Sequence, residues 1–350
     1  MSWEGNRMSE VDNSSYWITG NGPKKNIVIS SRIRLARNIN EIPFPGSADE
    51  EYFALVVNKV KDAVNKVSGL QYLDINELSE IKSKLLVEKN LVSPIHLKSE
   101  RERGVFLNQN ENISIMVNEE DHMRIQVLLP GLQLLEAWKV ADNLDDIFEQ
   151  KIDYAFSQKW GYLTACPTNL GTGLRASVMV HLPALSLTDN IDNMLSAVSK
   201  LGLVVRGIYG EGSKAVGNLY QISNQVTLGT SEKEIIDNLR SVTAQVIEKE
   251  KQTRNILIEK HEVEVRDRIN RSFGMLKFAY KISLDEAMKL LSYTKLGIDL
   301  GVLNDNEVNR TALDQLVVLI RPAHLQERAD EKLSSEDCDI ERANLIQNRI

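Results

Sequence analysis

Short strand-like apolar runs recur up to about residue 260, and from about residue 262 onward the pattern is helical alone. A chain whose hydrophobic period changes in this way must change architecture at that point. The pattern predicts an α+β unit over 26–260, a largely antiparallel sheet flanked by helices, followed by a helical domain over 261–350. Residues 1–25 read as a loosely ordered segment ending in the turn Gly20-Asn21-Gly22-Pro23.

Within the first unit, Ile27–Ser30 reads as a strand that delivers Arg32 and Arg34. Their i, i+2 spacing puts both on one face of an extended backbone. Helices are expected over 50–68, where Phe53, Val56, Val57, Val60 and Val64 recur at helical spacing, and over 74–88. Phe106–Asn118 and Met123–Leu129 read as a hairpin with Glu119, Glu120 and Asp121 in its connection. Leu132–Phe156 reads as a long helix. Strands are expected at Gly161–Cys166, Ala176–Leu182, Leu203–Val205 and Leu219–Ser223, with a helix from Thr188 to Leu201. Ser231 with Glu234 is a capping box opening a helix to about residue 260, and Ser283 with Glu286 is a second.

With 350 residues and 42% hydrophobic content the chain can bury a sizeable core. Its net charge of −7 argues against a nucleic-acid-binding face. Cys166 and Cys338 have neither metal spacing nor a disulfide framework. There is no apolar signal core at the N-terminus and no run long enough for a membrane span, so a soluble, cytoplasmic protein is expected.

The positive charge is local. Arg32, Arg34, Arg124, Arg175 and Arg206 each lie at a strand end or beside glycine. Arginine grips phosphate with a planar fork of donors, and glycines such as Gly171, Gly173, Gly207, Gly210 and Gly212 let backbone amides approach an anion. Taken singly, each arginine is an ordinary solvated charge; converging on one cleft, they make a polyphosphate clamp. Glu119, Glu120 and Asp121 read as an acidic turn, or as carboxylates facing a cationic acceptor. Cys166 reads as a small buried hydrophobe, or as a thiolate among arginines. The lone His96 reads as structural.

Cys166-Pro167-Thr168-Asn169-Leu170-Gly171-Thr172-Gly173 resembles the signature of the phosphagen (guanidino) kinases, the creatine and arginine kinase group. Asn118-Glu119-Glu120-Asp121-His122 and Ser31-Arg32-Ile33-Arg34 match that family in the same chain order, and the resemblance covers residues 26–258. It implies that Ser30, Ser31, Arg32, Ile33, Arg34, His96, Arg124, Arg175, Ala176, Ser177, Val178, Met179, Arg206, Gly207, Ile208, Tyr209, Gly210 and Glu211 bind ATP. It implies catalytic roles for Glu120, Glu211, Cys166 and Arg175. Magnesium is expected on the phosphates and water, with no dedicated protein cage.

The short stretch before Arg32 and the helical domain after the catalytic part resemble the bacterial branch whose acceptor is an arginine displayed on a protein. That branch implies arginine-bearing protein substrates, a small zinc-binding activator protein, a heat-shock repressor, an AAA+ protease and a homodimer. It carries a regulatory Arg-Asp-x-x-Arg-Ala motif that binds phosphoarginine. Here the stretch is Cys338-Asp339-Ile340-Glu341-Arg342-Ala343, so a regulatory pocket of Asp339, Arg342 and Ala343 would lack one of its two arginine forks. Two other readings stay open: a kinase of a small guanidino metabolite, and a nucleotide-sensing adaptor without turnover. Leu290, Leu291, Leu296 and Ile298 could form a dimer surface or the core of the helical domain.

Overall fold

The computed structural model describes residues 15–98, 101–207, 216–304, 308–330 and 332–350. One eight-stranded sheet dominates it. In chain order its strands are β1 (Val28–Arg37), β2 (Leu70–Asp74), β3 (Gly104–Asn108), β4 (Ile113–Val117), β5 (Met123–Pro130), β8 (Leu174–His181), β9 (Leu203–Gly207) and β10 (Leu219–Asn224). They lie in the order β2-β3-β4-β5-β1-β8-β10-β9, and every pairing is antiparallel. A separate hairpin pairs β6 (Phe156–Ser157) with β7 (Gly161–Tyr162).

Alternation along the strands gives the sheet one apolar and one polar face. Ile33, Leu35, Ile125, Val127, Ala176, Val178 and Ile222 are all fully buried on the apolar face. Helices Glu50–Val64, Leu134–Glu149 and Glu232–Lys260 cover it. Each presents an apolar stripe, such as Ala137, Ala141, Leu144 and Phe148 in the second. The longest starts at the expected capping box: Ser231 Oγ accepts from the Glu234 amide and Glu234 reaches back to the Ser231 amide at 2.8 Å. At Ser283 only half the box forms, with Oγ accepting from the Glu286 amide.

Several boundaries differ from the sequence reading. Tyr16–Thr19 is a short helix with Trp17 and Ile18 buried, so the chain is already packed before residue 25. Phe106–Asn118 is two strands, because Asn108 Oδ1 accepts from the amides of Asn112 and Ile113 and closes a turn. The helix expected over Leu132–Phe156 ends at Glu149. The one expected from Thr188 begins at Ile191. Residues 70–74 form a strand, and the following α-helix starts at Glu80 behind the Ser79 cap. Beyond Tyr162, the expected Gly161–Cys166 strand is a loop.

After His261 come the helices Glu262–Phe278, Leu284–Asp299, Arg310–Leu319, Pro322–Ala329 and Ser335–Gln347. Their core includes Leu276, Leu291, Leu316 and Ile346. It is continuous with Trp17, Ile18, Leu128 and Leu219 at one end of the polar sheet face. Leu290, Leu291 and Leu296 are buried there and Ile298 packs against it, so these four make the helical core rather than an open dimer surface.

Arg37, three residues after Arg34, is a structural arginine. Its Nη2 and Nε donate to Asp145 Oδ2 at 2.5 and 3.0 Å, and Nη1 donates to the carbonyls of Ala36 and Thr172. The guanidinium lies 3.5 Å from the Tyr162 ring centroid. Tyr154 Oη donates to Asp145 as well. Gly173, at φ +64°, is needed beside it: a Cβ there would come within 2.5 Å of Arg37 Nη1. Asp145→Ala would strand a buried cation and should destabilise the fold by about 3–5 kcal/mol. Denaturant unfolding checks this, and a change below about 1 kcal/mol would show that the pair is not structural.

Candidate active site

Register puts the arginines together. Arg34 lies directly across from Arg175, and Arg32 across from Ser177. Arg124 pairs with Ala36, two residues along β1 from Arg34. Arg206 pairs with Gln221, which pairs in turn with Met179. Side chains of directly paired residues share a face. Arg124, Arg32, Arg34, Arg175 and Arg206 therefore sit on the polar face across β5, β1, β8 and β9, four strands separated only by β10.

The same register divides the expected ATP positions. Ser30, Arg32, Ser177 and Met179 line one pocket, with Trp17, Asn90, Leu128 and Gln221. Ile33, Ala176 and Val178 are fully buried on the opposite face and can offer a ligand only backbone. Ser31 also points there, its hydroxyl donating to the Gly131 carbonyl at 2.8 Å and accepting from the Gln133 amide. Gly207 ends β9. Ile208, Tyr209, Gly210 and Glu211 lie outside the described residues.

The face is electrostatically primed for an anion. Burial, then the charges of Arg124 and Arg175, push the Arg32 guanidinium down to about 10, still protonated at neutral pH. Burial, then Arg32, Arg124 and Arg175, push the Arg34 guanidinium down from its ordinary range, and its buried Nε has no hydrogen-bond partner among the described residues. Crowded, desolvated guanidinium groups with unmet donor capacity suit a polyphosphate. Arg32 meanwhile rests on Gln221, Nη2 to Oε1 at 2.6 Å.

The acids stand at one border of this face. Arg124 holds both glutamates: Nη1 is 2.8 Å from Glu119 Oε2, and Nη2 is 3.2 Å from Glu120 Oε2. The two carboxylates differ in environment. Burial pushes Glu119 up, but Arg124, the Ser93 hydroxyl and the Glu120 amide outweigh it and leave its pKa below the usual range. Glu120 is more open, and burial leads, against Arg124 and with Glu119 and Asp121, in holding its pKa above that range. One is a fixed anion and the other a better base.

His96 is buried, its Nε2 3.2 Å from the Gly104 carbonyl, and burial pushes its pKa down to about 4. Ser93 ties its segment to the acids, accepting from the His96 amide and donating to Glu119 Oε1 at 2.5 Å. Cys166 is part-exposed on the loop after β7, its Sγ 3.0 Å from Thr168 Oγ1. That loop is anchored to the acidic turn, where Asp121 Oδ1 accepts from the Ala165 amide at 2.7 Å. Farther away, Arg342 is buried, donating to the carbonyls of Ile320 and Ile282 and to Asp339. Cys338 and Ala343 are buried around it. Gln221, Arg37 and Asn38 were not picked out as site residues by sequence reading, and Glu119 and Asp121 were read only as members of the acidic turn, with no separate role. For Gln221, the available signal was a polar residue set between Tyr220 and Ile222 in a strand.

The chain matches the family of the ATP:guanido phosphotransferase C-terminal catalytic domain over residues 53–253 and that of the protein-arginine kinase McsB C-terminal domain over 262–350. It is 59% identical over 340 residues to the protein-arginine kinase of Halothermothrix orenii, covering 97% of each chain. With the protein-arginine kinase of Bacillus subtilis it shares 46% identity over 344 residues, covering 97% of this chain and 94% of that one. The crystal structure of lombricine kinase superposes with a TM-score of 0.59 at 28% identity, covering 67% of this chain and 68% of that one. An antiparallel sheet with arginines across one face and acids at its border thus has the fold of the guanidino kinases, and the chain belongs to the protein-arginine kinases of the ATP:guanido phosphotransferase family.

Proposed function

We propose that this chain transfers the γ-phosphoryl group of ATP to a guanidinium nitrogen of arginine residues in proteins, with Glu120 as the base. The observation that carries the assignment of roles is the grouping of Arg124, Arg34 and Arg175 on one face of three adjacent strands, Arg34 directly opposite Arg175 and Arg124 pairing two residues along β1 from Arg34, with Glu120 at the border. Arg32, Arg34, Arg175 and Arg206 hold the phosphates, supplying charge where it develops during transfer. Magnesium would be held by the phosphates and water rather than by a protein cage, and would add neutralising charge to the polyphosphate. Glu119 keeps Arg124 in place.

The acceptor guanidinium is protonated and its lone pairs are delocalised, so it is a poor nucleophile. Glu120 aligns it and takes a proton from its attacking nitrogen as the N–P bond forms. The bond from the γ-phosphorus to the β,γ-bridging oxygen breaks, and ADP leaves with that electron pair. Cys166 belongs to this site by resemblance, on a loop that Asp121 ties to the acidic turn. Glu211 belongs to this site by resemblance as a second acid.

The reading extends to a division near residue 261, with the helical part serving regulation and dimerisation. It also extends to a cytoplasmic role in the stress response with an activator protein, a heat-shock repressor and an AAA+ protease. No helix among the described residues is long and apolar enough to cross a membrane. The Asp339–Arg342–Ala343 region is assigned a structural role, since Arg342 already donates to backbone carbonyls.

Incubating the protein with Mg-ATP and an arginine-rich protein should yield acid-labile phosphoarginine, read by mass spectrometry under non-acidic conditions. Phosphate appearing only on free arginine, or ATP left unconsumed with every acceptor, would overturn the protein-acceptor reading.

A further inference from the structure

Asn38 follows β1 directly and is 1% exposed, while Asp121 is 0% exposed. Between them they join three separate segments. Asn38 Nδ2 donates to Asp121 Oδ1 at 2.7 Å and to the Leu163 carbonyl at 3.0 Å. Asn38 Oδ1 accepts from the His122 amide at 2.9 Å, and its own carbonyl accepts from the Ala155 amide. Asp121 Oδ1 accepts a second time, from the Ala165 amide at 2.7 Å. His122 closes the knot, with Nδ1 accepting from the Ile39 amide and Nε2 3.0 Å from the Pro43 carbonyl.

These bonds span the acidic turn that holds Glu120 and the loop that holds Cys166. The rest of the acidic turn bonds elsewhere: Glu119 and Glu120 face Arg124, and Asn118 donates to the carbonyls of Phe53 and Glu102. We propose that Asn38 and Asp121 are positioning residues for phosphoryl transfer, a clasp that locks the Cys166 loop onto the Glu120 turn and so sets the gap in which the acceptor guanidinium lies. The inference rests on the roles given above to Glu120 and Cys166.

The two atoms of the Asp121 carboxylate separate positioning from charge. Oδ1 makes both bonds, whereas Oδ2 is buried with no partner among the described residues. Asp121→Asn keeps an oxygen where the clasp needs one, and its new amide breaks no existing bond. Asp121→Ala removes the clasp. Asn38→Ala removes it from the other side.

The test measures kcat and KM on an arginine-rich protein, ATP affinity by calorimetry, and the rate of Cys166 alkylation by iodoacetamide mapped on its peptide. Asn38→Ala and Asp121→Ala should each lower kcat by roughly 100-fold, the scale of an ångström misplacement, and alter Cys166 alkylation while ATP affinity stays within about twofold. Asp121→Asn should keep the wild-type alkylation rate and recover most of the lost kcat. Wild-type kcat in the folded alanine variants overturns the clasp. So does a parallel loss of kcat and ATP affinity that Asp121→Asn fails to rescue, the mark of a merely structural pair. If Asn38→Ala does not fold, the Asp121 pair decides by the same readouts. A wild-type protein that phosphorylates no arginine would sink the functional reading itself, whereas active wild type with indifferent variants sinks only the clasp.

Discussion

Glu120→Gln should lose phosphoryl transfer by roughly 10²- to 10⁴-fold, the range expected on removing a positioned general base, while ATP still binds. The glutamine keeps the length of the side chain and can still accept from Arg124, so a loss of turnover reports the missing base rather than a collapsed site. The pH dependence gives an independent sign. A base works only when ionised, and burial with the charges of Glu119 and Asp121 holds Glu120 above the ordinary glutamate range, against the pull of Arg124 and Arg175. The acid limb of kcat should therefore lie above that of an unperturbed glutamate, with activity falling as pH drops through the raised pKa. Glu119 is not an alternative base. Its net shift is downward, and it is tied to Arg124, Ser93 and the Glu120 amide. A Glu120→Gln protein with turnover within about tenfold of wild type would remove Glu120 from this role.

Arg34→Met should lower kcat by about 10³-fold, by comparison with an arginine that stabilises a transferring phosphoryl group. The same change should raise the melting temperature of the nucleotide-free protein. In the free protein Arg34 is half-buried, opposed by burial and by the charges of Arg32, Arg124 and Arg175, with Glu119 the compensating anion. Methionine keeps the apolar stem and removes the repelled charge. Added ATP should stabilise wild type more than the variant, because a ligand stabilises in proportion to how tightly it binds the folded state. Differential scanning with and without Mg-ATP reads both effects. A variant that loses activity and is also less stable without nucleotide would make Arg34 a packing residue and not a strained part of the clamp.

The fold class was legible because two hydrophobic periods occupy different parts of the chain. The helix stripes at Val56, Val57 and Val60 and the capping box at Ser231 are local features, and they appear as read. Errors fell where a local pattern had competition. The Asn108 side chain turns the chain inside one apolar run, and the loop after Tyr162 is held by contacts to distant segments rather than by a ladder. Trp17 shows no sign of burial in its own neighbourhood; it is buried because the helical domain and the end of the sheet close over it.

The candidate site divides in the same way. Residue type and spacing along the chain nominated the arginines and the acidic turn, and the resemblance to the guanidino kinases singled out Glu120 and Cys166. Strand pairing decided which of them meet: it set Arg34 opposite Arg175 and turned Ser31, Ile33, Ala176 and Val178 toward the core. Arg37 looks like its neighbours in the linear order, yet Asp145, more than a hundred positions away, makes it a structural cation. Asn38 carried no signal of its own and Asp121 only that of the acidic turn, because an asparagine and an acid in a turn are ordinary until burial leaves each only the other's atoms and a few backbone groups to bond with. A short-range pattern can name a reactive group, but its charge state and its partners are set by what packs around it.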